Sequence, residues 1–154
     1  MKRHLLALDQ LISRVGVVLL PLVLLLMRLE IGRAFFLSGL TKIQDWSTTI
    51  ALFTDEYHVP LLPPAVAAPL ATAGELLLPV LLVTGLMSRF AASGLFVLNL
   101  MAVISYWHGL TGPQGQWTSG LFDHWQWGLM LLVLVSSGAG KLSVDHCWLN
   151  RGSR

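Results

Sequence analysis

The chain alternates between long apolar stretches and short polar ones. Four apolar stretches stand out, at about residues 15–41, 65–87, 90–108 and 122–140. Each approaches or exceeds the roughly 17–25 residues that carry a helix across a bilayer, the last only just. Polar residues between them cluster at 42–64 and 108–123, and a turn at 85–89 is much shorter. This pattern predicts an all-α fold, an integral membrane four-helix antiparallel bundle within one domain covering 1–154. Ahead of the first stretch, Leu5, Leu8, Ile12 and Val15 recur at helical spacing while Arg3, Asp9, Gln10 and Arg14 fall elsewhere. That predicts a short N-terminal interfacial helix leading into span one.

Local signals place the ends. From Val15 to Lys42 one helix would measure about 41 Å at 1.5 Å per residue. This exceeds a hydrocarbon core of about 30 Å, so tilt, protrusion or a kink near Pro21 is expected. A short surface helix is expected around Ser47–Glu56, stopped by Pro60, Pro63 and Pro64. Pro63 or Pro64 suits the first turn of span two. Gly85 and Arg89 mark a tight turn, Ser119 or Asp123 caps span four, and Gly138 and Gly140 close it.

Composition agrees with a membrane protein: 55% of residues are hydrophobic and 12% charged, against about 25% charged in soluble domains. The net charge of +2 is distributed for topology rather than for nucleic acid. Lys2, Arg3, Arg14, Arg89, Lys141, Arg151 and Arg154 share one side if the chain crosses four times. The other side carries Lys42 against Asp45, Asp55, Glu56 and Asp123. The positive-inside bias then makes both termini cytoplasmic. Trp46, Trp107, Trp117, Trp125 and Trp127 fall near the outer ends, where an aromatic belt belongs, and Trp148 marks the inner side. Cys147 is the single cysteine, so the chain has no dithiol of its own.

The candidate chemistry lies in charges inside the apolar stretches. Arg28, Glu30 and Arg33 interrupt the first and Glu75 the second; such residues cost a few kcal/mol each in lipid and tend to be paired and functional. Arg28, Gly32, Phe35, Gly39 and Lys42 share one helical stripe, on which the glycines admit a neighbouring helix. Counting from the outer ends places Arg33, Glu75 and Asn99 each about 14–16 Å deep. The expected arrangement is a buried layer of Arg33, Glu75 and Asn99, with Arg28 and Glu30 about one turn deeper. One reading is a salt bridge that sets helix register; another is a binding cavity or proton path centred on Glu75. Spacing leaves the partner of Glu75 open among Arg28, Arg33 and Lys42. No metal site is expected, because His58, His108 and His124 lack ligand spacing and read as interfacial histidines.

Several short motifs occur in a recognisable order. Arg28-x-x-x-Gly32-x-x-x-Phe36-x-Ser38-Gly39-x-x-Lys42 is followed by the Pro-rich loop, Glu75 and Gly85-Leu-Met-Ser-Arg89. Gly138-Ala-Gly140-Lys-Leu-Ser143-Val-Asp145 then ends the series. Together they resemble the DoxX family of four-helix membrane proteins over about residues 28–146. Ala139 stands where proline is common, and Glu30 and Arg33 are outside the signature. The resemblance implies a bacterial-type inner-membrane protein, associated with a quinone-linked redox partner in the membrane or periplasm. It implies an accessory or anchoring subunit rather than a stand-alone enzyme, with quinone as the candidate cofactor and Arg28, Lys42 and Glu75 at its polar end. Two alternatives are a small-solute or anion transporter acting as a homo-oligomer, and a non-catalytic scaffold.

Overall fold

The computed structural model describes the backbone of residues 2–151 and the side chains of residue 6 and residues 8–148. The side chains of Lys2, Arg3 and Arg151, and all of Arg154, which enter the charge bias above, lie outside that range. The described residues are helical: α1 (Lys2–Gln44), α2 (Trp46–Asp55), α3 (Pro64–Thr84), α4 (Ser88–Ser105), α5 (Trp107–Leu110), α6 (Ser119–Ser137) and α7 (Val144–Arg151). The bridge between Thr111 and Trp117 is the only β-type pairing among them.

Three helices are long and apolar enough to cross a membrane, at Leu8–Gln44, Pro64–Thr84 and Ser88–Ser105. The fourth long helix, α6, is less apolar, because Asp123, His124 and Gln126 fall in its first half. It nevertheless packs along α4 and touches α1, while α3 lies between α1 and α4.

The ends follow from local chemistry. Asp45 caps α2 by accepting from the Thr48 amide at 3.0 Å, and its carboxylate also takes the Thr48 and Ser47 hydroxyls. These bonds, led by the one from the Thr48 hydroxyl, hold the Asp45 carboxyl below its usual range. Pro64 opens α3 without wasting an amide donor. Gly85 closes it at φ 72°, a conformation that disfavours any residue with a Cβ. Pro69 and Pro79 lie inside α3 without ending it.

The sequence predicts a separate interfacial helix at the N-terminus; the structure has one uninterrupted helix that continues through Pro21. Gly140 packs against this part of the helix, where a Cβ on it would lie 2.9 Å from Leu24 and 3.8 Å from the Pro21 backbone. Residues 8–20 are exposed throughout.

The main core joins Leu24, Ile31 and Phe35 of α1 to Leu82, Ala91, Ala92, Leu95, Leu131 and Leu134. A smaller core of Phe53, Ala67 and Ala68 fastens α2 to the start of α3. The α1–α3 register is set by glycine. A Cβ on Gly32 would lie 2.3 Å from a Val83 methyl, and one on Gly39 would lie 2.9 Å from Leu76. Seven residues up α1 thus match seven residues back along α3, and the two helices run antiparallel. Extending that register, Gln44 is level with about residue 71 of α3, and Arg28 is level with the 85–88 turn. The first turns of α3 therefore rise beyond α1, and α2 with the following loop fills the space. The N-terminal half of α1 projects past the opposite end.

Candidate functional site

Where α1 stops short, a cavity of about 390 Å³ opens between α1, α3, α4, α6 and the α2 loop. Its wall is mostly apolar and aromatic, including Phe35, Phe53, Leu70, Leu98, Met101 and Trp127. Small-molecule sites usually have this character, with a few placed polar groups in volumes of about 300–1,000 Å³.

The principal polar group is an ion pair. Lys42 Nζ donates to Glu75 Oε2 at 2.6 Å and to Ser38 Oγ at 2.8 Å. Both charged side chains are largely buried, with 18% and 13% of their surface exposed. An ammonium carries three donors, so one remains for whatever enters the cavity. Gly39 makes the pair attainable: its missing side chain leaves room for Leu76 and the Glu75 stem to press against α1.

His124, held by Asn99 behind it, and Tyr57 add polar groups to the wall. Asn99 Nδ2 donates to the His124 carbonyl at 2.9 Å, and its Oδ1 meets His124 Nδ1 at 2.8 Å. With Oδ1 as acceptor, His124 Nδ1 carries a proton. Tyr57 lies between Phe53 and Tyr106, with ring centroids 5.1 and 5.2 Å away. Burial pushes the Tyr57 phenol above its usual range, and Tyr106, Glu75 and Glu56 add to this. The phenol therefore stays protonated and able to donate.

A second charged constellation occupies the opposite end. Arg28 is fully buried. Its guanidinium donates to the carbonyls of Val83 and Leu142, tying the end of α3 to the segment after α6. Its Nε has no hydrogen-bond partner. Asp145 caps α4 from a distance, accepting from the amides of Met87 at 2.9 Å and Ser88 at 3.0 Å and from the Ser88 hydroxyl at 2.7 Å. Burial pushes the Asp145 carboxyl up, but the bonds from Ser88 and Met87, with the charge of Arg28, bring it below its usual range. Gly85 closes the knot, since a Cβ there would meet Arg28 and Ser143 at 2.5 Å.

Comparison with known sequences fits these positions. The family model DoxX matches residues 23–108, a span that holds Arg28, Gly32, Gly39, Lys42, Glu75, Gly85 and Asn99. This chain belongs to the DoxX family. An uncharacterized protein of Haemophilus influenzae (strain ATCC 51907 / DSM 11121 / KW20 / Rd) is 33% identical over 128 residues, covering 79% of this chain and 80% of that protein. No solved structure matches. The Gly138–Asp145 motif and α6 lie beyond the residues that the family model matches.

The geometry of this DoxX protein redistributes the polar residues that the sequence groups together. Lys42 and Glu75 do meet. Arg28 does not join them: it lies about 21 Å down α1 at 1.5 Å per residue, within the Asp145 knot. The expected layer of Arg33, Glu75 and Asn99 does not form. Arg33 pairs loosely with Glu30 at 3.5 Å, on the outward face of α1, with side chains 68% and 49% exposed. The depth estimate takes Lys42 as the outer end of its span, whereas the register places α1's end partway along α3. Asn99 has a different partner, His124, which the sequence reading leaves as an interfacial histidine. His58 and His108 stack edge to face at 5.4 Å, and His108 lies 3.9 Å from Glu56. Among the described residues no three His, Cys, Asp or Glu side chains come together to hold a metal. Trp127, which the sequence places in the outer aromatic belt, lines the cavity, and Tyr57 and Tyr106 escape the sequence reading. Their signal is the paired aromatic clusters Tyr57-His58 and Tyr106-Trp107-His108 at the ends of two loops.

Proposed function

We propose that this DoxX protein is an inner-membrane accessory subunit that holds the ring of a lipid-soluble quinone for a redox partner. The observation that carries this reading is the Lys42–Glu75 pair on the wall of an apolar, aromatic-lined cavity. A quinone supplies two-electron, two-proton chemistry when bound. The donor set suits such a ring: Lys42 keeps one ammonium donor for a carbonyl oxygen, and Tyr57 offers a neutral phenol nearby. Glu75 is placed to hold or release a proton. Phe35 and Trp127, 5.7 Å apart edge to face, give flat apolar surface for the ring to rest on. With no dithiol in the sequence, electrons would pass to and from a partner chain. On this reading α6 is the fourth span, both termini are cytoplasmic, and the whole chain forms one domain.

The test is lipid analysis of protein purified in mild detergent, followed by titration with a short-tailed quinone. Trp127 in the cavity wall gives a fluorescence readout. The expected result is quinone in the extract and saturable quenching, weakened about tenfold or more by Glu75→Gln or Lys42→Met, since a bond to a charged group contributes about 1.5–3 kcal/mol. An extract without quinone, together with quenching that does not saturate, overturns the proposal.

A further inference from the structure

The first helix carries a second pattern that its packing inside the chain does not use. Leu19, Val23, Leu26, Glu30, Arg33 and Leu37 recur at spacings of 4, 3, 4, 3 and 4, and all are exposed. This is a heptad phase, the repeat that seats two helices along a shared seam. It runs on the side away from Leu24, Arg28, Ile31 and Phe35, which face the chain's own core. Lipid covers the apolar members readily. It does not suit Glu30 and Arg33, because charges in a membrane helix face a partner or a water-filled space. Within one chain they make only the loose 3.5 Å contact.

We propose that α1 is a homodimer seam, on which two copies of this chain pair in parallel through Glu30 and Arg33. The occupant follows from charge. A twofold axis along the helices sets Glu30 opposite Glu30 and, three residues on, Arg33 opposite Arg33, so each carboxylate has within reach the guanidinium of its own helix and that of the other copy. Two carboxylates and two guanidiniums then share one layer about 4.5 Å tall, three residues at 1.5 Å each. The layer is neutral and complementary to itself, which a seam for an unrelated helix need not be. A single polar layer in an otherwise apolar heptad also sets register. The cavity lies on another side of α1, so pairing leaves it open.

The experiment uses two differently tagged copies of the full chain, co-expressed in membranes and captured through one tag. Glu30→Arg in both copies gives the seam four cations, and Arg33→Glu in both gives it four anions. Either should cut capture about tenfold or more, since like charges in contact cost several kcal/mol. Glu30→Arg in one copy with Arg33→Glu in the other restores opposite charges and should restore capture, which also shows that both variants fold. Leu37→Cys in a Cys147→Ser background should cross-link to a dimer under oxidation, whereas Leu100→Cys, on the exposed face of α4, should not. Capture indifferent to all charge changes overturns the proposal. So does a Leu37→Cys adduct with a mass other than two chains, or no adduct in a chain that remains folded.

Discussion

The two charged constellations of this DoxX protein use similar residues to opposite ends. At the basal end, Arg28 and Asp145 are spent on backbone. They take up carbonyls at the end of α3 and after α6, and amides at the start of α4, and a turn glycine packs against them. The more open cleft at this end runs past Ser88, Ser143 and Asp145, and Arg28 does not line it. At the loop end, Lys42 and Glu75 take each other and Ser38, and beside them lies a volume of about 390 Å³. A buried charge bonded to main chain holds the fold together. A buried pair beside open space retains bonding capacity for something else.

The sharpest way to break that contrast is at Arg28. Arg28→Leu strips the partner from buried carbonyls and from Asp145, and is expected to lower stability by about 3–5 kcal/mol, as removal of one member of a buried ionic network does. Thermal unfolding in detergent measures it. A variant that unfolds at the wild-type temperature would put the fold's anchor elsewhere.

Glu75→Gln should behave differently. It removes the charge from a pair that is still partly exposed and leaves Lys42 a neutral amide oxygen as acceptor, so the expected loss is about 1–3 kcal/mol. Lys42→Met with Glu75→Leu should recover most of that stability and none of the quinone quenching. Recovery of both would make the loop-end pair structural as well, and the contrast between the two ends would disappear.

Asp145 separates the ends by pH. Its carboxyl is held below the usual range when folded. It therefore contributes stability above the unfolded-state value of about 3.9, and that contribution is lost as pH falls from there through the lower folded value. Melting temperature should drop on acidification below about pH 4, and Asp145→Asn should flatten that part of the slope while lowering stability at neutral pH.

The smallest effect is expected at Asp45. Asp45→Ala removes an exposed cap and should speed exchange of the Thr48 amide. Because α2 roofs the cavity, the off-rate of bound quinone should rise with it. Faster amide exchange with an unchanged off-rate would separate the roof from ligand retention.

Much of the fold was legible. Uninterrupted apolar runs gave the long helices, and Pro64, Gly85 and Gly138 marked their ends, because each residue has a conformational reason to stand there. The Lys42–Glu75 pairing was among the alternatives, since glycine spacing put Lys42 on the face that meets a neighbour. What could not be read was how far α1 overlaps α3. That depends on which residue of α3 fills the notch at each glycine, and no local signal specifies it. Depth counted from the span ends therefore placed Arg33 with Glu75, although the two lie on different sides and at different levels. The Asn99–His124 clamp was hidden for the same reason: its two residues are 25 positions apart and meet only once α4 and α6 are docked.

The same register bears on the membrane around the molecule. α1 has 43 residues and α3 has 21, or about 64 Å against about 31 Å of helix. The surplus all lies beyond the 85–88 turn, and its apolar section, Val15–Leu20, is exposed. A flat bilayer fitted to α3 would leave that section in water. Either α1 bends at Pro21 to lie along the surface, or the leaflet thickens locally to reach it. In both cases the resting posture of the N-terminal arm depends on bilayer thickness, so lipids of different chain length should shift it without touching the cavity.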